Sequence, residues 1–270
     1  MSVRSRVRTR RPNSPIQLKR HWSSSSLRRS GAKLGVRQQQ ARGLRFRGEV
    51  GDPRKAPGFV GISVEAMLTA VGDGLQGARD KALLSLAFDT GLRRSEIVAV
   101  MWSHIEPGSA GGGRLFVPRS KSDQEGAGNY AFLSARTMAY LRNWSTLSGT
   151  DKDAVFRRLH RTRCKTGEDV WTVGARLTGQ SVTLVYRSLL DAARDAGLLS
   201  LLSQAQYDSW RRALTAHSTR VGLTQDLFAS GEDLAGIMQA LRWKSPAQPA
   251  RYAQALAAEA NAAAKVVGGL

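Results

Sequence analysis

Apolar residues recur at helical spacing over most of the chain beyond residue 62. The clearest case is Ala78–Thr90, where Leu83, Leu84, Ala87 and Phe88 line one face of a predicted helix. Gly91 follows and is suited to end that helix. Further helices are predicted over Val64–Val71, Arg94–Val100, Ser134–Leu147, Ser181–Ala196, Tyr207–Leu214, Ser218–Ser230 and Asp233–Leu241, with another beginning at Ser245-Pro246 and one in the Ala-rich tail Gln254–Lys265.

Two short runs are strand-like instead. They are Arg114–Pro118 and Asn129–Leu133, and the segment between them is polar and contains glycine, which predicts a β-hairpin. The basic stretch 148–178 shows no clear period and is predicted to be irregular. The expected fold is therefore mainly α with a small antiparallel β-sheet, an α+β class.

The first 60 residues differ from the rest in composition. They are rich in Arg, Ser, Gln and Gly, and they carry 16 basic side chains against two acids, Glu49 and Asp52. High charge with few apolar residues favours disorder. We therefore predict a basic, mostly disordered tail and linker over 1–60, and a folded domain over 61–270.

Charge and cysteine content narrow the function. A net charge of +20 indicates a polyanionic partner, nucleic acid above all, although a solubilising tail has the same composition. Cys164 is the only cysteine and the four His are scattered, so we expect neither a disulfide framework nor a metal site. With no signal peptide or membrane span in the pattern, the expected location is the cytoplasm, on the nucleoid when DNA is bound.

The candidate chemistry lies mainly in Thr215–Gln254. His217 and Arg220 are three residues apart and share a helical face. Trp243 and Tyr252 follow. Together they supply a base, a cation, an indole N–H donor and a phenol, which are the groups needed to hold a phosphodiester and attack it.

A second motif lies upstream and makes a family resemblance specific. The string TGLRRSEIVAV, then HSTRVG, then Trp243 and Tyr252 resemble the tyrosine recombinase (phage integrase) family, over about Gly61–Leu270. The resemblance implies that family's catalytic-domain fold. It also implies site-specific cutting and rejoining of double-stranded DNA through a 3′-phosphotyrosyl intermediate, with no metal and no small-molecule cofactor.

The same resemblance assigns roles to individual residues. Tyr252 matches the nucleophile, and Arg93 and Arg220 match the pair that clamps the scissile phosphate. His217 matches the general base or a hydrogen-bond partner of the phosphate, and Trp243 occupies a position that is His in many members. Each role has a plainer alternative, such as a surface tyrosine, a solvated helix arginine or a structural histidine.

One supporting position, Glu96, and one further catalytic position, Lys121, complete the implied site. Glu96 would orient the site as a supporting carboxylate, or it is an ordinary helix partner of Arg93. Lys121, at the tip of the predicted hairpin, matches the general acid that protonates the leaving 5′-oxygen. Recombination in this family uses four protomers on two duplexes, so a homotetramer on paired sites is expected, with the Ala-rich tail docking on a neighbour.

The chain departs from the family pattern in three places. Residues 1–60 are too short and too polar for the usual helical DNA-clamping domain. Only Gly31–Leu44 resembles the end of that domain, which predicts a truncated form with doubtful activity. Leu241-Arg242 replaces a frequent glycine before Trp243. Pro249 removes a backbone donor close to Tyr252 and is able to shift the nucleophile.

Two other functions fit the same residues. A type IB topoisomerase uses a similar set of Arg, Lys, Arg, His and Tyr to pass strands as a monomer. An inactive recombinase that only binds DNA would keep the basic charge without the reaction.

Overall fold

A computed structural model describes residues 62–118, 128–163 and 169–252. Its regular elements, in chain order, are α1 (Val64–Thr69), α2 (Leu75–Thr90), α3 (Arg94–Ala99), β1 (Ile105–Pro107), β2 (Gly113–Val117), β3 (Asn129–Leu133), α4 (Ala135–Ser148), β4 (Arg157–Arg163), β5 (Asp169–Arg176), α5 (Gly179–Asp195), α6 (Gln204–Ala213), α7 (Ser218–Ala229) and α8 (Leu234–Leu241), followed by helical backbone over 247–252. The predicted tail 1–60 and the helix Gln254–Lys265 lie outside the described residues.

Helix α2 forms the centre of this part of the chain. It packs against α1, α4, α5, α7 and β3. Its side chains are buried on every side, and Leu83, Leu84 and Ala87 have no exposed surface. A helix surrounded in this way buries residues all round rather than along one stripe. The end of α2, at Thr90 and Gly91, is consequently held in a fixed position inside the protein.

Within the described residues, five of the eight helices α1 to α8 begin at a side-chain cap. The hydroxyl of Ser63 accepts from the Ala66 amide, that of Ser134 from the Thr137 amide, and the carboxylate of Asp233 from the Gly236 amide. These oxygens satisfy amide groups that have no partner within the first turn of a helix. The predicted helices are confirmed to within about three residues at each boundary.

The predicted hairpin is present as the β2–β3 pair, with Phe116 opposite Tyr130. Strand β1 extends it to a three-stranded antiparallel sheet in the order β1-β2-β3. Leu115 and Leu133 face the core, whereas Phe132 on the other face is 69% exposed. The sheet therefore shows the alternation expected of a sheet with one buried face.

A second antiparallel sheet was not predicted and corrects the expectation of a single one. Strands β4 and β5 pair within the stretch that the sequence indicates as irregular. We call this β4–β5 pair the basic hairpin. Arginines and other exposed side chains cover both of its faces, and Leu159 and Val173 are partly buried against the core. Period-two hydrophobicity, the usual sequence signal of a strand, is therefore nearly absent.

No helix among the described residues is long and apolar enough to cross a membrane.

Candidate active site

The start of α3 holds Arg93 and Glu96 together. Arg93 is the cap residue, and its backbone N–H donates to Glu96 Oε2 over 2.9 Å. Its guanidinium Nη1 donates to Oε1 of the same carboxylate, also over 2.9 Å. A carboxylate is favourable at this end of a helix. The Arg93 side chain remains 31% exposed, so it is oriented by Glu96 while one side stays open to a ligand.

Arg220, in the first turn of α7, is completely buried. Its Nη1 donates to the Gly91 carbonyl over 2.6 Å, and its Nη2 donates to the Leu241 carbonyl. These carbonyls lie at the ends of α2 and α8, where backbone acceptors lack helical partners and carry partial negative charge. Burial, together with the charges of Arg93 and Arg242, lowers the pKa of Arg220 to about 9. The guanidinium is still a cation at neutral pH.

The ends of α2 and α8 meet because residue 91 has no side chain. Gly91 has φ +56, and a Cβ placed on it would lie 2.5 Å from Leu241 Cδ2. Glycine adopts this left-handed conformation without steric penalty. The close approach brings both carbonyl acceptors within reach of one guanidinium.

His217 and Tyr252 are in direct contact across 35 residues. His217 Nε2 lies 3.0 Å from the Tyr252 hydroxyl oxygen. Burial lowers the pKa of His217, and Arg220 and Arg93 lower it further. Burial raises the pKa of Tyr252, although Arg220 and Arg251 oppose that shift. A neutral imidazole thus faces a protonated phenol, the protonation states from which a base can remove the phenolic proton.

Trp243 connects this pair to Arg220. The Arg220 guanidinium carbon lies 4.0 Å from the centre of the indole ring, within the range of a cation–π contact. The rings of Trp243 and Tyr252 are 6.0 Å apart. The indole Nε1 is buried without a hydrogen-bond partner among the described residues.

Pro249 lies in the first turn of the helical segment that presents Tyr252. The earliest helical hydrogen bond there runs from the Ala250 amide to the Pro246 carbonyl, over 3.0 Å. The amide that Pro249 lacks would precede that bond, where proline is tolerated. The helical backbone continues through residue 252, and the hydroxyl of Tyr252 reaches His217.

Comparison with known proteins decides the family. The sequence profile of the phage integrase family matches residues 62–259. The chain belongs to the phage integrase family. It is also 27% identical over 197 residues to the recombinase Cre of Escherichia phage P1, an alignment that covers 72% of this chain and 54% of Cre. The chain therefore spans about half the length of this relative.

Solved recombinase structures resemble this phage integrase family member at lower identity. The XerH site-specific recombinase, bound to a palindromic difH substrate in a post-cleavage complex, is 18% identical with a TM-score of 0.49, over 73% of this chain and 50% of that one. The XerA recombinase is 18% identical with a TM-score of 0.49, over 71% of this chain and 58% of that one.

The structure brings together the predicted site residues of this integrase that it describes. They come from α3, α7 and the segment after α8, and they are Arg93, Glu96, His217, Arg220, Trp243 and Tyr252. Lys121 lies outside the described residues, so its role as general acid stays a prediction. Among the residues that are described, no three His, Cys, Asp or Glu side chains are grouped to hold a metal ion.

Two neighbours of the site were not predicted. Arg242 is buried beside Arg220, and the side-chain amide of Gln225 donates to the Tyr252 carbonyl over 3.5 Å. The sequence does contain a signal for Arg242, because it places a charged residue between the apolar Leu241 and Trp243 at the end of a helix. We call Arg93, Arg220 and Arg242 the arginine cluster.

Proposed function

We propose that this protein cuts and rejoins double-stranded DNA through a covalent 3′-phosphotyrosyl link formed by Tyr252. The observation that carries the proposal is the 3.0 Å contact between His217 Nε2 and the Tyr252 hydroxyl, next to the buried guanidinium of Arg220. A phenol with a raised pKa is a poor nucleophile until a base takes its proton. The neutral imidazole of His217 is placed to do so.

In the proposed reaction, the Tyr252 oxygen attacks phosphorus while its proton passes to His217. The bond between phosphorus and the 5′-oxygen breaks, and this leaving oxygen takes a proton from a general acid, for which Lys121 is our prediction. Arg93 and Arg220 stabilise the charge that grows on the non-bridging oxygens. Attack by a new 5′-hydroxyl reverses these steps and restores the phosphodiester and the free tyrosine.

The basic hairpin supports double-stranded DNA as the substrate. Arg158, Arg161 and Arg163 are exposed there, and the Arg161 guanidinium lies 5.9 Å from the centre of the Trp171 ring. Exposed arginines bind phosphates without sequence preference. Exchange between two duplexes would use a homotetramer on paired sites, as in the family's reaction.

The test is covalent capture of DNA. Purified protein is incubated with a pool of nicked duplexes whose centre is randomised, so that cleavage releases a short strand and traps the adduct. We expect a protein–DNA band that survives denaturation in wild type and is absent in Tyr252→Phe. An adduct that persists in Tyr252→Phe would overturn the assignment of the nucleophile.

Two further outcomes distinguish the two rival functions. Relaxation of a supercoiled plasmid by monomeric protein, with no requirement for paired sites, would select a type IB topoisomerase. Salt-sensitive binding of the pool with no adduct in wild type would select a protein that only binds DNA.

A further inference from the structure

Arg242 is held in a backbone conformation that its side chain disfavours. It ends α8 with φ 55 and ψ 44, and its amide donates to the Gln239 carbonyl over 3.3 Å. A residue with a Cβ is strained in this left-handed region, whereas glycine is not. The helix would end equally well on a glycine, so capping does not account for an arginine at this position.

The side chain of Arg242 is also unfavourably placed for stability. The residue is only 9% exposed, and its Nη2 donates to the Thr90 carbonyl over 3.1 Å. Its Nε and Nη1 are buried and have no partner among the described residues. A buried cation with unused donors is destabilising unless something else binds it. Strain and incomplete bonding at one residue are typical of functional sites.

Arg242 lies beside the groups proposed to bind the scissile phosphate. Arg242 and Arg220 donate to the consecutive carbonyls of Thr90 and Gly91, so their guanidinium groups are neighbours at the end of α2. Burial lowers the pKa of Arg242, while the nearby Glu96 raises it and Arg93 lowers it. The arginine cluster therefore carries three positive charges against the one carboxylate of Glu96.

Unused N–H donors are concentrated at this point. Nε of Arg220, Nε and Nη1 of Arg242, and Nε1 of Trp243 are all buried without partners among the residues that the structure describes. An excess of positive charge with several unused N–H donors suits a phosphate group, whose oxygens accept two bonds from one guanidinium.

We propose that Arg242 is a third phosphate-binding arginine of this site. Its Nε and Nη1 donate to the scissile phosphate alongside Arg93 and Arg220 once the substrate has entered. The inference rests on the proposed function, because the anion bound there during the reaction is the phosphodiester of DNA. A purely structural arginine at this buried position would have partners for Nε and Nη1 as well.

The first test measures the rate of adduct formation at saturating DNA for Arg242→Gln, Arg242→Gly and Arg242→Lys. We expect the Gln and Gly variants to lose roughly 10²-fold in rate, the order seen when one oxyanion donor is removed, and the Lys variant to lose less. The Gly variant removes the backbone strain, so we expect its melting temperature to equal or exceed that of wild type. Rates per folded molecule that match wild type in both Gln and Gly variants would overturn the proposal.

The second test uses inorganic phosphate and does not depend on catalysis. At constant ionic strength, added phosphate should raise the melting temperature of wild type more than chloride does, and Arg242→Gln should lose most of that difference. Arg94→Gln is the matched control, because Arg94 is exposed next to Arg93 and should leave the response intact. An unchanged phosphate response in Arg242→Gln contradicts the proposal, even if its rate falls.

The two tests separate this inference from the proposed function. An Arg242-dependent phosphate response in a protein that forms no adduct with any DNA would support the anion site and contradict the proposed recombinase reaction. An adduct that forms at the wild-type rate in Arg242→Gln, with a wild-type phosphate response, would contradict the role of Arg242 and still support the proposed reaction.

Discussion

The arginine cluster and the basic hairpin contain the same type of residue in opposite surroundings. In the cluster, Arg220 and Arg242 are buried and bonded to backbone carbonyls at the ends of helices. In the hairpin, Arg158, Arg161 and Arg163 are exposed on a two-stranded sheet. Electrostatic interactions are strong in a desolvated site and are screened by salt at the surface. We therefore expect the cluster to determine the rate of reaction and the hairpin to determine affinity for DNA.

The largest expected effect comes from replacing Arg220, which tests whether the arginine cluster determines the rate. Arg220→Gln should reduce adduct formation by about 10²–10³-fold at saturating DNA, because it removes charge at the developing oxyanion. It should also lower thermal stability, since the Gly91 and Leu241 carbonyls lose their donor. Rates come from single-turnover gels and stability from thermal melts.

Arg220→Lys separates the effect of the charge at this position from the effect of the guanidinium shape. Lysine keeps the charge but lacks the planar fork that reaches two carbonyls at once, so its rate should lie well below wild type. Equal rates for the Lys variant and wild type would mean that charge alone matters at this position.

The close approach of α2 and α8 can be tested separately at Gly91. Gly91→Ala should destabilise the fold by about 1–2 kcal/mol from left-handed strain alone, with a further loss from the contact with Leu241. Gly197→Ala is the matched control, since Gly197 has φ +72 but nothing within 4 Å of an added Cβ. Denaturant unfolding measures both variants. Equal losses in the two would contradict the tight contact at Gly91.

The contribution of the basic hairpin to DNA affinity is tested by combining Arg161→Ala with Arg163→Ala. We expect about tenfold weaker DNA binding near 0.1 M salt and a shallower salt dependence, because fewer phosphates are neutralised. The adduct rate at saturating DNA should stay within about twofold of wild type if screening leaves the buried site unaffected. Fluorescence anisotropy across a salt series gives the affinity.

A double variant with the same loss of charge provides the control for the hairpin. Arg142→Ala with Lys152→Ala removes two exposed cations from α4 and the loop after it. If this variant weakens binding as much as the hairpin variant does, DNA affinity follows total charge rather than the hairpin.

The smallest expected effect is on pH dependence. Because the pKa of His217 is lowered, its imidazole is already neutral at pH 7, and the rate should be nearly flat from pH 7 to 8.5. The decline toward acid should be centred below the ordinary histidine value of about 6.5. His217→Gln should instead gain rate with rising pH, since the phenol of Tyr252 must then ionise without a base. A wild-type decline centred above 6.5 would contradict a neutral His217.

Local sequence signals were sufficient for most of the helices and for one hairpin. Caps such as Ser63, Ser134 and Asp233 mark helix starts, because a single residue type at one position supplies the oxygen that bonds the first-turn amides. The basic hairpin was not predictable in this way. Its strands are held by backbone pairing, and their exposed side chains give no alternation to detect.

The site was predictable as a set of residue types, but its geometry was not. The order of Arg93, His217, Arg220 and Tyr252 along the chain suggests their chemistry. The contacts that hold them, from Arg220 to the Gly91 and Leu241 carbonyls, involve backbone acceptors that any residue type can supply. The sequence marks Arg242 only as a departure from the family pattern, since its proposed role depends on burial and on a left-handed backbone angle.

The bond between Arg220 and Gly91 has a consequence for how the protein is made. It joins positions 129 residues apart, and His217 reaches Tyr252 only near the end of the described chain. During synthesis the N-terminal portion emerges and begins to fold first. A nascent chain that already displays Arg93 and Glu96 still lacks the Arg220 cation and the proposed nucleophile, Tyr252. Under the proposed chemistry, an unfinished polypeptide on the ribosome is therefore unable to cut DNA.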